Sequence, residues 1–200
     1  MNIISYMLHG QKPHPKNQMP KHLNPRTQDR GGSRDVTGGQ IQVKLSSGGN
    51  LGYLSNGLIS KFYTLTSTLT NAGTFTFSGN LLHRSTATTT SPYVGALIQT
   101  SRDDFVSNSI NSVLGDAGAT ATGAKSQPNN DPSSSHYGIE SAIWSHNLAS
   151  GGVTAQLVKD NGTTPSASIL MFGSFLYLTP DLAAVLKNFP TVKVVTFTLL

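Results

Sequence analysis

The sequence predicts an all-β protein: a two-sheet antiparallel sandwich of jelly-roll type with about eight strands and one or two short helices, behind a basic, Pro-rich N-terminal arm. Three observations predict it. From residue 40 onward the chain consists of short runs of β-branched and aromatic residues punctuated by Gly, Asn and Pro, a composition that suits pleated, half-buried strands. Breaks such as Asp160-Asn161-Gly162 and Asn71-Ala72-Gly73 carry residues that tolerate positive φ and close hairpins. The whole net charge of +5 sits in the first 34 residues, which separates an arm, residues 1–39, from a β-sandwich domain, residues 40–200.

In residues 1–34 of the arm, Lys12, Lys16, Lys21, Arg26, Arg30 and Arg34 stand against Asp29 alone. Their spacing would suit one face of a helix, but Pro13, Pro15, Pro20 and Pro25 remove backbone donors and push their predecessors toward extended geometry. Extended, the cations lie about 13–17 Å apart, a string of charges and not a docking face. Gly31-Gly32-Ser33 and Gly38-Gly39 form the hinge. The remaining residues balance eight basic side chains against eight acidic ones.

Strands are expected near 40–45, 58–70, 73–83, 93–100, 138–148, 152–159, 166–178 and 191–199. In the second, Tyr63, Leu65 and Leu69 share one face while Thr64, Thr66, Thr68 and Thr70 share the other, which gives a core side and a wet side. Asp160-Asn161-Gly162 is expected to join the sixth and seventh runs as a hairpin. A helix of one or two turns is expected over Pro180–Asn188, with Thr179 as its N-cap and Pro180 at its first position. Phe105–Leu114 is a second candidate. Residues 115–136 hold few large apolar side chains and read as a long exposed loop.

Several chemistries drop out. The chain has no Cys, which removes disulfides, thiol catalysis and Cys-ligated metals. Gly118 to Gly123, then Ala124-Lys125, misses the phosphate-loop pattern because Ala124 separates the second Gly from the Lys. The six His form no metal-binding pair of helical spacing, and no nucleophile elbow is present, so no enzyme is expected. Arg102-Asp103-Asp104 is the densest charge cluster of the body. It reads as a solvated turn, with Asp103 and Asp104 as candidate ligands for Ca²⁺ between subunits. Trp144 reads as core, or alternatively as a sugar-stacking platform. Asn161-Gly162-Thr163 fits the glycan acceptor pattern, but the hairpin accounts for it better. The first ten residues lack the cationic start and apolar run of a secretory signal. The expectation is therefore a soluble protein, not exported by the ordinary route and without membrane contact.

A more specific expectation comes from a resemblance of layout. An uncharged, Ser-, Thr-, Gly- and Asn-rich β domain behind a Pro-interrupted cationic arm resembles the small single-jelly-roll coat proteins of simple plant and fungal RNA viruses and their satellites. The resemblance implies a homo-oligomeric shell whose arms turn inward, and hence a protein made in the host cytoplasm and carried in a virion. Lys12, Lys16, Lys21, Arg26, Arg30 and Arg34 would then hold the phosphates of single-stranded RNA without reading bases, since Tyr6 is the only aromatic residue of the arm. Two rivals remain. One is a carbohydrate-binding sandwich, a lectin or fibre tip, stacking sugars on Trp144, Tyr137 and Tyr93. The other is a pore-forming β protein whose Thr-rich run over 62–77 becomes a stem.

Overall fold

The computed structural model describes residues 39–87, 90–99, 112–128, 137–159 and 161–200. Most of the arm, including all six of its cations, and the Asp103-Asp104 pair lie outside the described residues, as do 105–111 of the second helix candidate.

The strand pairings of the described chain are antiparallel throughout. Its strands are β1 (Gly39–Leu45), β2 (Asn50–Ile59), β3 (Phe62–Thr66), β4 (Thr74–Ser78), β5 (Leu81–Arg84), β6 (Tyr93–Gln99), β7 (Ser112–Ala117), β8 (Gln127–Pro128), β9 (Tyr137–Glu140), β10 (Trp144–His146), β11 (Gly152–Gln156), β12 (Ser166–Phe172), β13 (Phe175–Thr179) and β14 (Lys193–Leu199). The only α-helix among the described residues, α1, spans Leu182–Asn188.

Several expected strands are divided by turns. The run over 58–70 bends at Ser60 and Lys61, with φ of 51° and 74°, so β2 and β3 form a hairpin. Type I′ turns ordinarily take Asn-Gly to reach such angles, and the absence of both here hid the turn. After β3 a short 3-10 segment, Leu69–Asn71, carries Leu69 out of alternation and leaves it 50% exposed. Leu69 therefore does not share the core face with Tyr63. Likewise 73–83 turns at Gly79-Asn80, 138–148 divides around Ala142-Ile143, and 166–178 turns at Gly173-Ser174. The expected hairpin at Asn161-Gly162 is present, with Ala155 opposite Ala167 and Gly162 at φ +81°.

Two further expectations change. Gly115–Ala117, placed in an exposed loop, belongs to β7, and Ala117 and Thr120 are buried; Ser112–Leu114, the described end of the second helix candidate, is strand as well. The cap of α1 is Asp181, whose side chain accepts a hydrogen bond from Ala184 N at 3.0 Å. Thr179 instead ends β13 and accepts from Asp181 N at 3.2 Å. An aspartate one residue into the turn places its carboxylate over the free amides of the first helical turn, the position a capping side chain must occupy.

The hydrogen bonding does not divide into two separate sheets. It closes into a ring of eight strands, β1-β4-β5-β6-β7-β13-β12-β14 and back to β1. The β2–β3 hairpin connects β1 to β7 by a second route. Closure removes most exposed sheet edges, which otherwise invite unwanted strand pairing. Inside the ring, Ile41, Val43, Leu54, Phe75, Leu82, Leu114, Trp144, Leu176, Leu178 and Phe197 form one packed core. Trp144 is fully buried, stacks on Phe197 at 6.3 Å and donates from Nε1 to Val94 O at 2.7 Å, so its one polar atom is satisfied.

Candidate functional site

Three regions of the described domain carry side chains with chemistry beyond packing: an ion-paired clasp inside the ring, a polar outer flank and an aromatic outer flank. Alternation assigns them. On β7, Ser112, Leu114 and Asp116 point inward while Val113 and Ala117 point outward; on β3, Tyr63 points inward and Phe62 outward.

The clasp joins Tyr63, Arg84 and Asp116. Tyr63 Oη donates to Asp116 Oδ1 at 2.6 Å, and Arg84 Nε donates to the same oxygen at 3.2 Å. Arg84 Nη2 pairs with Asp116 Oδ2, and Nη1 donates to Asn56 O at 2.9 Å and to Thr86 Oγ1 at 3.2 Å. The Thr86 hydroxyl in turn donates to Asn56 Oδ1, and the guanidinium lies 6.0 Å from the Tyr63 ring centre. Burial, reinforced by the adjacent Asp116 charge, holds the Tyr63 hydroxyl well above its ordinary range. Burial works against the charge on Arg84, but Asp116 and Tyr63 together outweigh it and the guanidinium is held above its ordinary value. The side chains of Arg84 and Asp116 are only 10% and 12% exposed. With its acceptors taken up by fixed donors, the clasp ties β2, β3, β5 and β7 together and has no geometry for turnover. Its members are far apart in sequence, and nothing local marks them as partners.

A second polar junction has the same character. Thr120 Oγ1 accepts from Ser141 N at 3.0 Å and Ala142 N at 3.1 Å, and Ser141 Oγ donates to Gly118 O at 2.8 Å. Glu140, buried on β9, accepts from Val158 N at 2.9 Å.

The outer flank over β11, β14, β1 and β2 is polar but nearly uncharged. Register places Gln42 between Thr198 and Tyr53, and Lys44 beside Thr196, with Thr154 and Gln156 exposed on β11. The opposite outer flank, over β3, β7, β6, β9 and β13, is apolar. Leu97, Val113, Ala117 and Ile139 are buried there against half-buried Phe62, Tyr137, Phe175 and Tyr177. Phe62 meets Tyr137 edge-on at 6.0 Å and Phe175 edge-on at 5.7 Å, each at 82°. Burial, with Tyr137 close by, raises the Tyr177 hydroxyl above its ordinary value.

Among the residues singled out from sequence, Trp144 is enclosed and offers no face to a sugar. Tyr93 is half-buried and packs edge-on against His83 at 5.8 Å. Tyr137 alone of the three joins an aromatic group on the outside. The proposed stem over 62–77 is not one strand, because the 3-10 segment separates β3 from β4. Among the described residues no three His, Asp or Glu side chains gather as a metal site, and no helix is long and apolar enough to cross a membrane. Sequence reasoning missed the aromatic flank. Its signal was present: Tyr93-Val94-Gly95-Ala96-Leu97-Ile98 is a nearly unbroken apolar run, the mark of a strand covered on both faces. No protein-family model, curated protein or solved structure matches the chain.

Proposed function

We propose that this chain is a viral coat protein that assembles with copies of itself into a shell and holds single-stranded RNA through its N-terminal arm. One observation carries the reading: residues 1–34 hold six cations against one carboxylate, while the rest of the chain balances eight against eight. A body without net charge meets copies of itself without accumulating repulsion. In this reading the closed ring is a jelly-roll-type shell domain. Lys12, Lys16, Lys21, Arg26, Arg30 and Arg34 bind phosphate without base selectivity, and many arms held together convert weak single-arm binding into avidity. Asp103 and Asp104 are candidate Ca²⁺ ligands between subunits. The test replaces all six cations by Gln in the full chain. Particles that form but carry little RNA, read by electron microscopy and by their nucleic-acid absorbance, are expected; particles packaging RNA at the wild-type level overturn the arm's role. The carbohydrate-binding alternative predicts glycan binding by isolated monomers.

A further inference from the structure

Resting on that assembly reading, we propose that the aromatic outer flank around Phe62, Tyr137, Phe175 and Tyr177 is the surface through which one copy of this chain docks on a second copy. In an antiparallel sheet one face commonly covers the core and the other meets water, so the outer face of this ring should alternate to polar residues. Over β14 and β1 it does, with Thr196, Thr198 and Gln42 turned outward. Over β6, β7 and β13 it does not: Leu97 and Ala117 are fully buried on the outward side, beneath rings that are themselves half-buried. Tyr177 packs against this group and also against the cluster under α1, so the apolar surface continues toward Phe189 and Phe172, the latter 39% exposed.

Ring geometry selects the kind of partner. A sugar stacks on an open, flat ring face, and a binding platform presents such faces side by side. Here both neighbours of Phe62 stand at 82° to it, the edge-to-face arrangement of a protein interior, which a partner's side chains interdigitate with and a flat sugar ring does not. Charge selects a second copy. A two-fold contact sets a surface against itself, which a single-signed patch opposes and an uncharged one permits. The four are Phe and Tyr, with no Asp, Glu, Lys or Arg among them, their two Tyr hydroxyls suit a hydrogen-bonding rim, and the domain behind them has balanced charges. A stable pair needs roughly 800 Å² from each partner, more than four half-buried rings supply, so a single contact is weak and gains strength from repetition around a closed assembly.

The full chain tests this by sedimentation over a concentration series, comparing wild type with Phe175→Glu and with Thr196→Glu on the polar flank. Wild type and Thr196→Glu are expected to associate alike, and Phe175→Glu to weaken association about tenfold or more while keeping its β circular dichroism. If a folded Phe175→Glu associates as wild type does, or Thr196→Glu is the one that fails, the docking surface is wrong and the assembly reading stands. If wild type itself never associates, both fall. Because the chain has no Cys, Tyr177→Cys provides a check that does not depend on the charged variant folding. Its thiol should react with maleimide in dilute solution and become protected as assembly proceeds. A thiol blocked even in dilute monomer means the chain's own residues cover the flank, and one open at every concentration during assembly means no copy docks there; either result overturns the proposal.

Discussion

Asp116 and Ala117 are neighbours on β7 that point to opposite sides of one sheet, and their surroundings differ in kind. Inward, Asp116 has both oxygens engaged by Tyr63 and Arg84, and Arg84 spends further donors on Asn56 and Thr86. Outward, Ala117 lies under aromatic rings that remain half-buried. The difference shows how the molecule distributes its few charges. A buried ion pair is committed to closing the barrel, leaving a surface whose remaining capacity is apolar on one flank and neutral-polar on the other. Polar strength inside is structural; the apolar area outside is what the proposed docking would use.

The sharpest way to break this contrast is at the inner member. Asp116→Ala leaves the Arg84 charge buried without its partner and should cost about 3–5 kcal/mol of stability, read as a lowered urea midpoint, whereas Phe175→Ser on the outer flank should cost far less and act on association. A conservative Asp116→Asn should lose less than Asp116→Ala. The next effect is alkaline. Because the Tyr63 hydroxyl is held above its ordinary value of 10.0 in the folded state, its contribution is fully present below about pH 10 and is lost as pH rises through the folded value. Stability should then fall by up to about 1.4 kcal/mol per pH unit, and Tyr63→Phe should flatten that slope in pH-dependent urea unfolding. A smaller gain is expected at the β2–β3 turn, where Lys61 sits at φ 74°. Lys61→Gly should stabilise by about 0.5–1 kcal/mol, since a side chain in the left-handed region costs more than the added backbone freedom of Gly, seen as a raised thermal midpoint. The smallest effect is on the polar flank, where Gln42→Glu should change stability by less than about 0.5 kcal/mol, read from urea unfolding.

Much of the fold was legible from residue chemistry. β1, β6 and β14 fall where β-branched and aromatic residues cluster, and the β11–β12 hairpin follows from Asn161-Gly162. What was not legible has physical causes. Ser60-Lys61 reaches positive φ without the residues that announce it. β7 is built partly of Gly and Ala, whose small side chains suit close approach: a Cβ on Gly115 would fall 2.8 Å from Lys61 O. Ring closure depends on pairings such as β1 with β14, between the two ends of the domain, which no local pattern encodes. The clasp likewise assembles residues from separate strands. The aromatic flank was half-legible, because the apolar run in β6 indicated cover on both faces but not which rings supply it.

The central claim is that attraction for polyanions belongs to the arm and self-association to the neutral domain. The most direct measurement is negative-stain imaging with sedimentation of the purified full chain, mixed with single-stranded RNA of unrelated sequences at low and high salt. The account predicts closed particles that carry RNA regardless of sequence, with binding that weakens as salt rises by a log–log slope of about −4 per arm. A dispersed monomer at high protein concentration, unaffected by RNA at any salt, would contradict it.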